Sequence, residues 1–183
     1  MDGVSLIEIH GRKPRIHSSA FIAPGCRLIG DIEIGADVSI WYNCVLRADV
    51  NFIRIGARTN IQDGTVCHVD SPKPGSPDGL PLIIGEDVLI GHLAMVHGCV
   101  LADRAFVGLG AIAMDGCAID SEGMLAAGAM LTPGKRIGAR ELWGGRPAKL
   151  MRMLGDAEVA GNALGVAHYV ENGRVHKAAI GPT

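Results

Sequence analysis

The chain has 183 residues, and its 17 Lys and Arg against 19 Asp and Glu leave a net charge of only −2 at pH 7. This balance argues against the strongly basic surface that nucleic acid or anionic lipid would select. No apolar run reaches the length of a membrane span, and no secretory signal pattern opens the sequence. We therefore expect neither nucleic acid nor membrane as a partner. Because the five cysteines form no CxxC pair, a reducing, cytoplasmic setting is the simplest expectation.

Aliphatic residues recur at every sixth position through most of the chain. The first series comprises Ile16, Ile22, Leu28, Ile34, Ile40 and Leu46. Later series begin at Ile55, Ile84 and Leu101, and the last runs to Ile137. A period of six fits neither an α-helix nor an alternating strand, whereas hexapeptide repeats are typical of a parallel β-helix. With three hexads per coil, the sequence predicts an all-β solenoid shaped as a triangular prism.

The repeat is interrupted in three places. Three residues are inserted around Asp49-Val50-Asn51, and a Pro/Gly-rich stretch from Val69 to Pro81 must leave the coil as a loop. One residue is missing between Val96 and Leu101. Both insertions lie close in sequence to histidines, and solenoids often place function at such insertions.

The C-terminal segment has a different composition. We expect a β-helix domain over residues 1–144, and a helix and tail packed on it over residues 145–183. Pro147 suits a first helical position, and the helix is predicted over about Ala148 to Leu164. Its apolar stripe would comprise Leu150, Met153, Leu154 and Ala157. The sequence from His168 to Thr183 is interpreted as a tail that folds back.

Three histidines have a register that suits a metal site. His68 and His97 occupy the same hexad position one coil apart, so their side chains should stack about 4.8 Å apart and point outward. His92 lies beside a different corner, so a neighbouring prism would have to supply it. A trimer with three interface sites is the natural closure. Three imidazoles leave one tetrahedral position open, as in catalytic zinc sites, where bound water has a pKa near 7.

Polar residues near these histidines strengthen the hypothesis of a catalytic site. Gln62 points outward one hexad before His68 and could hydrogen-bond a metal-bound oxygen. Arg47 could pair with a carboxylate at the subunit interface or hold an anionic product. Alternatively, Arg47, Asp49 and Asp63 form an interface network of salt bridges, and the two interpretations are compatible.

Taken together, these motifs resemble the γ-class carbonic anhydrase family over about residues 10–170. The resemblance rests on Arg47-x-Asp49, Asn60-Ile61-Gln62-Asp63, His68, Ile90-Gly91-His92 and His97-Gly98. It implies a left-handed β-helix with a C-terminal α-helix, assembled as a homotrimer. It further implies Zn²⁺, with Fe²⁺ or Co²⁺ as alternatives, bound between subunits by His68 and His97 of one and His92 of the next.

The resemblance also implies roles for the polar residues. Those matching Arg47, Asp49, Asp63 and Asn60 serve the interface and anion binding. The residue matching Gln62 orients the metal-bound hydroxide, and Tyr169 matches a family tyrosine near the site.

The implied reaction is reversible hydration of carbon dioxide to bicarbonate by metal-bound hydroxide. The chain departs from the family in lacking the glutamates of its proton-shuttling acidic loop. Val50 follows Asp49, and Ser71–Pro81 contains only Asp78 as an acid, so slow hydration is expected. Two alternatives remain open: an acyl-CoA thioesterase or acyltransferase on the same fold, and a non-catalytic structural trimer.

Overall fold

The computed structural model describes residues 3–181, which form short strands followed by one helix. The strands are β1 (Ser5–Ile7), β2 (Arg15–Ile16), β3 (Phe21–Ile22), β4 (Arg27–Ile34), β5 (Ser39–Ile40), β6 (Val45–Ile55), β7 (Asn60–Ile61), β8 (Val66–His68), β9 (Leu82–Ile84), β10 (Leu89–Ile90), β11 (Met95–His97), β12 (Val100–Leu101), β13 (Phe106–Val107), β14 (Ile112–Ala113), β15 (Ala118–Ile119), β16 (Met124–Leu125), β17 (Met130–Leu131), β18 (Arg136–Ile137), β19 (Glu141–Gly144) and β20 (Lys149–Met153). The helix α1 spans Asp156–Ile180.

Nearly all strand pairs are parallel, and each strand pairs with its equivalent in the next coil. β11 lies on β8 with Val96 opposite Cys67, and β12 lies on β9 with Leu101 opposite Ile84. β4 and β6 are long enough to pass through a corner, so they join two faces into one 12-stranded sheet. The third face is an 8-stranded sheet running from β3 to β20. The predicted fold is therefore confirmed as a parallel β-solenoid of about eight turns with a C-terminal helix.

The prism interior is filled by the two inward positions of each hexad. At the large position Leu28, Leu46, Ile61 and Ile90 are all 0% exposed, and at the small position Cys44 is as well. Burying one such aliphatic side chain contributes about 1.5–3 kcal/mol, so the repeat itself supplies the core. The five cysteines are buried and free.

Both insertions lie where the sequence predicts them. In the ladder between β4 and β6, Ala48 lies opposite Gly30 and Phe52 opposite Asp31, so Asp49–Asn51 bulge from the coil. The Asn51 amide donates hydrogen bonds to the carbonyl oxygens of Asp70 at 3.1 Å and Asp78 at 2.8 Å. These bonds tie the loop between β8 and β9 to the bulge, and both project from the same corner.

The predicted helix boundaries are wrong. Lys149–Met153 is a strand that pairs antiparallel with β19, where it covers the last edge of the sheet. Pro147 therefore does not open the helix, which follows Gly155, whose N–H donates to the Glu158 carboxylate at 3.0 Å. The predicted tail is helical as far as Ile180.

Of the predicted stripe, Leu154 is buried whereas Leu150 and Met153 are 52% and 57% exposed. The last two residues of the predicted tail, 182 and 183, lie outside the described residues. The division of the chain at residue 144 stays a prediction.

The C-terminal half of α1 is held against the 8-stranded sheet by polar and aromatic contacts. The Lys177 ammonium donates to the carbonyl oxygens of Ser18 at 2.6 Å and Ala20 at 2.9 Å. The His176 ring lies 2.9 Å from the Tyr42 hydroxyl, measured from Nδ1. Over the described part of the chain, no helix is long and apolar enough to cross a membrane.

Two corner glycines provide a test of how tightly the coils stack. Gly30 and Gly128 both have a positive φ, of 82° and 68°. A Cβ on Gly30 would lie 2.1 Å from the Ala48 carbonyl oxygen, whereas a Cβ on Gly128 would meet nothing within 4 Å. We expect Gly128→Ala to cost about 1–2 kcal/mol through the left-handed conformation alone. Gly30→Ala should cost roughly 1–3 kcal/mol more because the next coil must move.

Urea unfolding at one fixed protomer concentration measures both costs. Equal losses for the two variants would mean that the coils move apart easily at Gly30.

Candidate metal centre

His68 and His97 end the neighbouring strands β8 and β11 and lie side by side on one face of the prism. Nδ1 of His68 is 2.9 Å from Nε2 of His97, and the ring centroids are 4.9 Å apart. The register predicted from the sequence therefore brings the two side chains together. The two rings lie at the edge of this face that adjoins one corner of the prism. The Asp49–Asn51 bulge and the loop between β8 and β9 project from that corner.

Each of these two rings is also held by a carboxylate on its other nitrogen. Nε2 of His68 lies 3.1 Å from Asp49, and Nδ1 of His97 lies 2.5 Å from Asp115. Asp115 is not among the site residues predicted from the sequence, because it lies far from the histidines along the chain. Val96 lies opposite Ala113, so this coil has 17 residues, and Asp115 lies on the next coil one position beyond the residue level with His97. A search of the adjoining coil could have found it.

Burial, together with the charge of Arg47, favours a neutral His68 ring. Burial lowers the pKa of His68, and this outweighs the opposite effect of its hydrogen bond with Asp49. Burial alone would raise the pKa of Asp49, but hydrogen bonds from Arg47 at 2.5 Å and from His68 lower it overall. Asp49 is therefore ionised and His68 neutral near pH 7, which is the form of imidazole that binds metals.

His92 lies at the opposite edge of the same face, at the corner between β10 and β11. Its Nδ1 is 2.8 Å from the Asp63 carboxylate, and both side chains are about 40% exposed (40% and 42%). Asp63 immediately follows Gln62, which is 3% exposed and donates from Nε2 to Asn60 Oδ1 at 3.0 Å. Nδ2 of Asn60 is buried without a partner among the described residues.

Tyr169 belongs to this second edge. It is a half-buried residue of α1, and its ring packs edge-on against Trp41 at 5.4 Å. Burial raises the pKa of its hydroxyl, and the negative charge of Asp63 adds to the effect. The phenol therefore stays protonated at neutral pH.

The candidate residues thus fall into two groups at opposite edges of one face. The first half-site comprises Arg47, Asp49, His68, His97 and Asp115. The second half-site comprises Asn60, Gln62, Asp63, His92 and Tyr169. Four residues, which include the turn at Leu93, separate His92 from His97 along the chain. Within residues 3–181, no three His, Cys, Asp or Glu side chains of one chain converge as a metal site would require.

The chemistry of the donors nevertheless fits a metal ion. Each of the three histidines has one ring nitrogen held by an aspartate, at 3.1 Å, 2.8 Å and 2.5 Å. Metal-binding histidines are characteristically oriented by such carboxylates, which fix the tautomer and raise the basicity of the free nitrogen. Asp49, Asp63 and Asp115 would therefore present His68, His92 and His97 as ligands.

Comparison with known proteins agrees with the repeat and with the family resemblance. The family model for bacterial transferase hexapeptide (six repeats) matches residues 13–48. Gamma carbonic anhydrase 2, mitochondrial, from Arabidopsis thaliana is 42% identical over 94% of this chain and 62% of its own length. Protein YrdA from Escherichia coli strain K12 is 42% identical, with 86% of each chain covered. The chain belongs to the γ-class carbonic anhydrase family of hexapeptide-repeat proteins.

A solved structure supports the hexapeptide-repeat fold. A hexapeptide transferase family protein from Anaplasma phagocytophilum is 42% identical, with a TM-score of 0.87, and the match covers 94% of this chain and 98% of that one. The coil is therefore the left-handed parallel β-helix that the resemblance implied. The chain spans only 62% and 63% of the length of two of the Arabidopsis relatives.

Asp115 provides a test of the first half-site. If it orients His97, Asp115→Ala should weaken metal binding about 10–100-fold, as is typical of carboxylates behind metal-binding histidines. Competition with a chromogenic chelator measures this affinity. Asp120→Ala is the matched control, because Asp120 pairs with Arg136 and touches no histidine of the site. An equal loss in both variants would exclude an orienting role for Asp115.

Proposed function

We propose that this protein reversibly hydrates carbon dioxide to bicarbonate at metal sites shared between the subunits of a homotrimer. The observation that carries the proposal is the separation of the ligands into two half-sites at opposite edges of one face. His68 and His97 supply two ligands at one edge, and His92 supplies a third at the other edge. Either edge alone leaves the metal site incomplete.

The same separation favours a ring of subunits. Two different edges that complete each other form a heterologous interface, and such an interface closes when its rotation matches a point group. A prism with three faces suits closure after three copies. Each subunit would then contribute to two sites, and the trimer would contain three.

The metal, Zn²⁺ with Fe²⁺ or Co²⁺ as alternatives, supplies Lewis acidity that lowers the pKa of water to about 7. Gln62 would orient that water: its amide Nε2 donates to Asn60, which would leave its carbonyl oxygen to accept a hydrogen bond from the water. Tyr169, which stays protonated, would donate a hydrogen bond to an oxygen of the substrate. Arg47 is 45% exposed beside Asp49, and its free N–H groups would hold the bicarbonate anion.

Proton removal would limit the rate. The loop between β8 and β9 carries Asp70 at its start, but this carboxylate is engaged by Lys73 at 2.5 Å. An ion pair lowers the pKa of Asp70 and makes it a poor acceptor of protons at neutral pH. Protons would therefore leave to the buffer.

A second candidate, acyl transfer or thioester hydrolysis, is supported by the transferases named in the family model and in the Anaplasma relative. As for the compartment, five free and buried cysteines support our proposal of a reducing cytoplasm. A mitochondrial location is given for the Arabidopsis relatives themselves.

Stopped-flow hydration of carbon dioxide tests the reaction. Protein loaded with Zn²⁺, or anaerobically with Fe²⁺, should accelerate hydration at a rate that rises with buffer concentration, because the buffer takes up the proton. His97→Ala removes one ligand and should abolish the acceleration. A flat trace with metal bound would refute hydration. Hydrolysis of acyl-CoA by the same sample would then establish the second candidate, and inactivity in both assays would leave a structural trimer.

Mixed trimers test the shared site independently. His92→Ala damages one edge of each subunit, and His97→Ala damages the other. Each variant alone should lack metal and activity. Because a site needs one intact edge from each of two neighbours, co-expression in equal amounts should restore about one quarter of the sites. Mixed trimers, verified by native mass spectrometry, that bind no metal would show that each site lies within one chain.

A further inference from the structure

One corner of the prism is closed by a column of residues in the left-handed conformation. We call it the histidine corner because it includes the turn that follows His92. Its members are Gly25, Asn43, Gly64, Leu93, Gly110 and Gly128. The backbone N–H groups of Gly64, Leu93 and Gly110 donate to the carbonyl oxygens of Tyr42, Asp63 and His92 at 2.9, 2.9 and 2.8 Å. These bonds hold the turns in one register.

Leu93 is out of place in this column. Its φ is 56°, a conformation that glycine and asparagine adopt easily and that a bulky apolar side chain adopts at a cost in energy. Its side chain is also 73% exposed. Within its own chain it leans over Gly64, where a Cβ would lie 2.7 Å from Leu93 Cδ2. The left-handed backbone and the exposed apolar side chain of Leu93 are thus both unfavourable, and no burial within the chain compensates for them. Such uncompensated strain indicates function.

The surroundings of Leu93 indicate what that function is. His92 precedes Leu93 directly. The residues that occupy the position of His92 on the coil below and on the coil above are Asp63 and Leu109. Leu109 is 54% exposed. Two exposed leucines thus flank the one histidine that lacks companion ligands in its own chain.

We infer that Leu93, supported by Leu109, is an apolar anchor that docks this corner onto a second copy of the chain, at the edge carrying His68 and His97. This inference rests on the shared site proposed above. The second copy is the fitting occupant because only that edge completes the ligand set of His92. It also offers an exposed apolar side chain: Val50, in the bulge beside Asp49, is 44% exposed. The anchor would seat His92 against its partners and exclude water from the rim of the site.

The test uses the full-length chain in its metal-loaded form. Leu93→Gly relieves the strained backbone, so a purely local role predicts a more stable protein with unchanged assembly. The anchor predicts the opposite for assembly: sedimentation over a dilution series should show trimer dissociation at a protomer concentration about tenfold higher or more. Bound metal should be lost in parallel.

Two further variants separate the causes. Leu93→Asn keeps a residue that tolerates the corner and removes the apolar side chain, so it should weaken assembly like Leu93→Gly. Asn43→Gly lies in the same column, with φ of 61°, and is a matched control for strain that should leave assembly unchanged.

The outcomes distinguish this inference from the proposed function. Wild-type protein that binds metal stoichiometrically as a monomer would overturn the shared site and the anchor together. A metal-bound wild-type trimer, with Leu93→Gly and Leu93→Asn assembling equally tightly, would overturn the anchor alone.

Discussion

The hydrogen-bonded register between successive coils is the constraint on which the molecule depends. Backbone N–H groups of one coil donate to carbonyl oxygens of the next, as from Gln62 to Ile90 at 2.9 Å and from Met95 to Ala111 at 2.9 Å. Because this ladder stacks each residue on its equivalent, the position of a side chain follows from its place in the hexad. A slip of one residue would turn the buried aliphatic positions outward, so the core and the ladder enforce each other.

This constraint explains how much of the structure could be predicted. The repeat predicts the β-helix, and its count predicts where Asp49–Asn51 leave the coil and that His97 stacks on His68. Asp115 lies on the next coil, one position beside the column of His97, so a search along the sequence overlooks it. Neighbours in a solenoid are separated by a whole coil, so a site is found by reading down a column.

Prediction fails where the repeat ends. Lys149–Met153 has a composition that suits a helix or a strand, and the unpaired edge of β19 decides in favour of the strand. That edge is a tertiary feature which local propensity does not contain. The extent of α1 is also not predictable from the sequence, because its apolar residues form no clear stripe. Its C-terminal half is instead positioned by Lys177 and His176 and by Gly173, which approaches Ser39 and Phe21.

The three corners of the prism differ in whether their side chains find partners within the same chain. One is a column of residues in the left-handed conformation whose charges alternate along the axis: Asp37, Arg58, Asp87, Arg104, Glu122 and Arg140. Ion pairs such as Arg58 with Asp87 at 2.7 Å and Arg104 with Glu122 at 3.1 Å link neighbouring coils. Single exposed pairs contribute little, but each charged residue of this column has a partner. Arg140 also pairs with Glu122, and Asp37 pairs with Arg174 of α1.

The other two corners lack such a column of alternating charges. One carries the insertions and the pair His68 and His97, whose nitrogens face each other at 2.9 Å. The other carries His92 beside two exposed leucines. These corners bound the same face, and in the proposed assembly each would supply what the other lacks. One has two histidines beside the exposed Val50, and the other has a third histidine beside the exposed Leu93. A contact between these two unlike edges would complete the histidine set and cover the exposed apolar side chains together. It would leave the corner with the paired charges facing solvent. Assembly and the completion of the metal site would thus be a single event.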